Sequence, residues 1–260
     1  MYHSNGLEYI VRGYCSSNYL PNVSYLSGNI DDKPDFRKAS PIVFEAQYKL
    51  KTSPNRYKIQ PYHSPTYAID HSFTPEFFLN SSRPKARFVD DNNEVKCIAE
   101  ETFELIMKER MSESISINIL PLDEFKSLHS RFGSWSNGIQ GFSINKTKKI
   151  FVRENHLDAL MLVIGHEIGH VLTEALPNKH DEEAKAFAFS IEWAKTIKQH
   201  NISNLGLNIK DELDFQPAKN GLHDIALEFV DFMIKKGRKA MELHEDLTKK
   251  YTSIFNGVYF

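Results

Sequence analysis

The stretch His166-Glu167-Ile168-Gly169-His170 decides how this chain is read. On an α-helix, residues four apart stand one above the other, so both imidazoles project to the same side. That spacing suits two ligands of one tetrahedral Zn2+, with Glu167 beside the first and able to act as general base toward water that the metal activates. The reading requires a real helix. Just before the motif, Ala159-Leu160-Met161-Leu162-Val163-Ile164 is apolar on every side, as expected of a buried central helix, here running from about His156 to Ala175. Ionisable groups inside such a helix need partners, and a metal supplies one.

Two histidines leave a third protein ligand to be found. Asp181, Glu182 and Glu183 open the next helix, expected from about Asp181 to His200. Turning each residue by about 100° puts Glu183 on one arc with Ala186, Phe187, Ser190, Ala194 and Ile197. Lys185, Glu192, Thr196 and Gln199 lie opposite with Asp181 among them, and Glu182 falls at the margin. Glu183 is therefore the expected ligand. Glu182 and Asp181 are the alternatives, and both also complement the helix N-terminus. Ala186, one turn further on, would let this helix pack closely on the motif helix. His180 follows His170 by ten residues, too far for the metzincin pattern, in which a histidine comes six residues after the second.

Upstream of the motif, Ile115, Ile117 and Ile119 alternate with Ser116 and Asn118, a half-buried strand from Ser114 to Leu120. Pro121-Leu122-Asp123 begins a short helix through His129. Gly138 to Ile144 and Lys149 to Val152 read as two strands joined by the polar turn Asn145-Lys146-Thr147-Lys148. A helix from Ile98 to Met111 precedes them. Two more, Leu222–Lys236 and Arg238–Tyr251, follow the motif helices. The order gives an α+β fold: a small mixed or antiparallel sheet packed on the HExxH helix, with a helical C-terminal part.

Residues 1–95 differ in kind. Nine of eleven tyrosines and eight of eleven prolines fall there, and no long amphipathic period appears. Short candidate strands, Ile42-Val43-Phe44 and Tyr57-Lys58-Ile59, are separated by Pro, Asn and Ser. The expected division is an irregular Tyr/Pro-rich extension over 1–95 and a zincin-like domain over 96–260, with Asp90-Asp91-Asn92-Asn93 as a hinge.

The motif helix and the Asp181-Glu182-Glu183-Ala184-Lys185-Ala186-Phe187-Ala188 run resemble the gluzincins, and among them the short ImmA/IrrE-type peptidases, over roughly residues 114–200. The resemblance implies a zinc peptidase fold with both histidines and a downstream Glu as ligands. Lys185 stands where that family usually carries Asn, and no helix-turn-helix segment accompanies the motif.

The expected function is hydrolysis of peptide bonds with one Zn2+ per chain, Glu167 as the catalytic base and a peptide or protein as substrate. The alternative is a catalytically inactive, zinc-stabilised binding or sensing module on a peptidase-like scaffold. The strand beginning at Gly138 is a candidate for pairing with substrate backbone, its glycines either permitting close approach or shaping a bulge. Trp135 and Phe142 are candidates for a specificity pocket or for core, and His223 and Tyr251 for oxyanion donors or ordinary helix residues. A net charge of −2 gives no electrostatic grip on nucleic acid. The longest apolar run is too short to cross a bilayer. No basic, then apolar, leader opens the sequence. A cytoplasmic protein with Cys15 and Cys97 reduced is expected.

Overall fold

A computed structural model describes residues 73–89, 91–211 and 222–254. The candidate strands at Ile42 and Tyr57 lie outside the described residues, as does most of the 1–95 extension. Phe73, Phe78, Leu79 and Val89 are buried in the same core as the motif helix.

Helix α1 (Asn92–Met107) begins earlier than the periodicity from Ile98 suggests, because Asp91 caps it, its side chain accepting from the Asn93 backbone N–H at 2.8 Å. Part of the expected hinge is thus a helix cap. The helix buries Val95, Ile98, Ala99, Thr102 and Phe103, one stripe at helical spacing. It ends where Lys108 turns left-handed at φ 60°, short of the expected Met111. Cys97, on this helix, is disulfide-bonded rather than reduced.

A three-stranded mixed sheet follows, made of β2 (Ser116–Leu120), β3 (Gly141–Ile144) and β4 (Lys149–Arg153) in the order β2-β4-β3. β2 runs parallel to β4, and β3 antiparallel, with Phe142 opposite Phe151. The period of two sorts the side chains. Ile117, Ile119, Ile150 and Val152 join the main core on the motif-helix side, while Phe142, Ile144 and Phe151 join a second cluster. Helix α2 (Leu122–His129) supplies Phe125 to that second cluster. A two-stranded ribbon, β1 (Phe88–Val89) with β5 (Asn155–His156), fixes the entry to the motif helix.

Helix α3 (Leu157–Val171) carries the HExxH motif and has every residue buried. Helix α4 (Lys179–His200) lies along it, and α5 (Leu222–Lys235) and α6 (Ala240–Thr248) pack against α4. α4 is therefore covered on several sides. Lys185 and Thr196, expected on a solvent face, are buried, because a two-faced reading of one helix omits the helices that arrive later in the chain. No helix among the described residues is long and apolar enough to cross a membrane.

Candidate metal centre

The glycines of the motif region set the distance between α3 and α4. A Cβ on Gly165 would lie 2.4 Å from the Trp193 ring, and one on Gly169 only 2.8 Å from the Ala186 Cα. No side chain fits at either place. Gly169, just before His170, brings the start of α4 within reach of both imidazoles, and Gly165, one turn earlier, admits Trp193 further along α4.

The result is a buried group formed by His166, His170 and Glu183, whose ligand atoms lie within 4.8 Å of one another. The two Nε2 atoms are 3.3 Å apart. Glu183 Oε2 is 3.4 Å from His166 Nε2 and 3.7 Å from His170 Nε2. Ligand atoms about 2.05 Å from a tetrahedral centre sit about 3.3 Å from each other, so these spacings fit the edges of one coordination tetrahedron.

The three acidic residues at the head of α4 separate cleanly. Asp181 accepts from Ser253 Oγ and the Ile254 backbone N–H, both at 2.8 Å, and so ties down the segment after α6. Glu182 reaches His170 Nδ1 at 2.8 Å. Only Glu183 faces both Nε2 atoms. His166 Nδ1 lies 3.2 Å from Ser190 Oγ, and that hydroxyl donates to the Ala186 carbonyl at 2.7 Å. Ser190 therefore accepts from Nδ1–H, as Glu182 does from His170. Each contact leaves Nε2 as the ring nitrogen directed into the group.

Burial and charge act in opposite directions on these residues. Burial pushes the His166 imidazole down to about 3, even though Glu183 favours its charged form. Burial also lowers His170, but the Glu183 carboxylate and the Glu182 hydrogen bond outweigh it and hold the ring up at about 9. Glu183 is driven well below the ordinary carboxylate range: burial opposes this, and His170 and His223 together overcome it. Charge is thus favoured on Glu183 and His170 and disfavoured on His166.

Glu167 is buried between the helix and the sheet edge. A Cβ on Gly141 would come 3.2 Å from Glu167 Oε1 and 2.5 Å from Val163 Cγ1. The strand glycine thus admits the motif helix itself. Phe142, fully buried, belongs to the second core cluster, and Trp135 packs against it. His223, at the head of α5, places Nε2 3.2 Å from Glu183 Oε2. Tyr251 is more than half exposed, unlike the buried group. Phe73 stacks on the His166 ring with centroids 4.4 Å apart.

Several of these contacts carry little signal in the sequence. Ser190 is the polar exception on the apolar arc of α4, which marks it as a partner for something buried. The Gly165/Gly169 pair marks a close helix crossing. Phe73, ninety-three residues before His166, has no local signal. Comparison of the chain with protein-family models, curated proteins and solved structures gives no match.

Proposed function

We propose that this chain is a zinc-dependent peptidase of the gluzincin type, in which His166, His170 and Glu183 hold one Zn2+ and Glu167 is the general base. The observation that carries the reading is the convergence of two imidazole nitrogens and one carboxylate oxygen from two helices at tetrahedral spacings. A group of three protein ligands leaves a coordination position for chemistry, where structural zinc sites are closed by four. Bound zinc would lower the pKa of water to about 7 and polarise a carbonyl. Glu167 accepts the proton that water loses as its oxygen bonds to a peptide carbonyl carbon. It then returns that proton to the amine as the C–N bond breaks. A peptide substrate fits β3, an edge strand among the described residues that lies beside Glu167 and offers main-chain pairing to an extended chain.

A second reading rests on a different observation. His166, Glu167, His170 and Glu183 are all buried, and Phe73 covers one face of His166, which suits a zinc-stabilised module without turnover. Glu167→Gln separates the two. On the peptidase reading, the variant keeps about one zinc per chain and loses cleavage of a mixed peptide pool by about 10²–10⁴-fold. Wild-type protein that binds zinc but leaves every peptide intact supports the second reading. Equal cleavage by wild type and variant removes Glu167 as the base.

A further inference from the structure

We infer that Lys185 is a positioning residue for the metal site, holding His170 by both its ring and its backbone; this rests on the metal-binding reading above. Lys185 has no solvent-exposed side-chain surface. A buried ammonium is costly unless each of its three protons finds an acceptor. Here each does. Nζ lies 2.9 Å from Glu182 Oε2, 3.2 Å from the Glu174 carbonyl and 3.4 Å from the His170 carbonyl.

The first and last of these contacts lead to the same residue. The other oxygen of Glu182 accepts from His170 Nδ1 at 2.8 Å. Glu182 Oε2 also accepts from the Leu176 backbone N–H at 2.7 Å, so the carboxylate is pinned from three sides. Lys185 therefore grips the His170 carbonyl directly and its imidazole through Glu182. Asn145 reinforces the backbone end, its Nδ2 donating to the His170 and Thr173 carbonyls.

A lysine that merely complemented the C-terminus of α3 would need only the His170 carbonyl and its neighbours in the last turn. The third contact, to the carboxylate that orients a ligand ring, is what a helix-end role leaves unexplained. Lys185 and Glu182 are three residues apart, on one face of α4. Ligand Glu183 is the neighbour of Glu182, so the same turn of helix delivers the third ligand and the brace for the second. The aim of Nε2 depends on the tilt of the imidazole, and the brace fixes that tilt.

The test uses the full chain, with Zn2+ affinity measured by competition against a chromophoric chelator and Co2+ substituted for its visible ligand-field bands. Lys185→Met and Glu182→Gln are each expected to weaken Zn2+ binding by about 10–100-fold and to shift the Co2+ bands. The double variant is expected to lose less than the two single losses combined, because both changes break the shared path through Glu182 to the ring. Additive losses in the double variant would overturn the inference, as would wild-type affinity and spectrum in Lys185→Met. If Lys185→Met fails to fold, the double variant, which removes the carboxylate together with its counter-charge, decides the question. In that case wild-type affinity in the double variant refutes the brace. A wild-type chain that binds no Zn2+ would instead refute the metal-binding reading itself, a distinguishable failure.

Discussion

Replacing Gly169 with alanine tests whether the closeness of α3 and α4 builds the site. The added methyl would stand 2.8 Å from the Ala186 Cα, 3.0 Å from its carbonyl oxygen and 3.1 Å from the Phe189 Cβ. Ordinary contact begins near 3.4 Å, and two of these neighbours are backbone, so no rotamer change relieves the clash. The head of α4 must retreat by about 0.6 Å. Glu183, three residues before Ala186, moves with it. Metal–ligand distances tolerate only about 0.2 Å. One of three ligands is therefore out of range, and Zn2+ affinity should fall at least ~10-fold. Stability changes less. Overpacking costs about 1–3 kcal/mol, and alanine returns about 1 kcal/mol of helix propensity. Gly165→Ala is the internal control. Its methyl strikes the Trp193 ring, ten residues beyond Glu183 and about 15 Å along the helix, so it should lower the melting temperature more than the affinity. Chelator competition and thermal melts of both variants decide the matter. Wild-type Zn2+ affinity in Gly169→Ala would refute the argument.

Three further outcomes follow from the same geometry. Because His170 is held at about 9, metal-free protein at pH 7 carries a proton that must leave when Nε2 binds an ion. Calorimetry in buffers of different ionisation enthalpy should show release of about one proton, with affinity rising as pH climbs toward 9 and levelling above it; a buffer-independent heat would contradict this. Asp158 is buried and accepts from Arg83 Nε at 2.8 Å, Asn208 Nδ2 at 2.9 Å and the Ala159 backbone N–H at 2.8 Å. Asp158→Ala should cost about 3–5 kcal/mol in urea unfolding, since it leaves the Arg83 charge unpaired, and a loss under 1 kcal/mol would show that the clasp is weak. Removing metal with a chelator should lower the melting temperature of wild type, by the equivalent of about 2.7 kcal/mol relative to protein at a hundredfold excess over Kd. It should leave His166→Ala unchanged.

The sheet, the hairpin and the motif helix were legible because their periods are local: isoleucines at every second position in β2, and an unbroken apolar run before His166. Glu183 was legible for the same reason, from its place on one arc of α4. The separate roles of Asp181 and Glu182 carry no local signal, since they depend on Ser253 and His170, brought to the head of α4 only by tertiary packing. Helical periodicity with one buried face places Lys185 toward solvent, whereas α4 is enclosed on several sides. Apolar spacing alone starts α1 at Ile98, whereas the cap at Asp91 starts it at Asn92. Phe73 lay in a segment with no period at all, and its contact with His166 depends on a chain path that no local pattern encodes.

The most direct test is crystallographic: anomalous scattering at the zinc edge from crystals of the full chain grown with Zn2+. The account predicts a single strong peak about 2.0–2.2 Å from His166 Nε2, His170 Nε2 and a Glu183 carboxylate oxygen. No peak there, or an ion bound by other residues while Glu183 turns away, would contradict it.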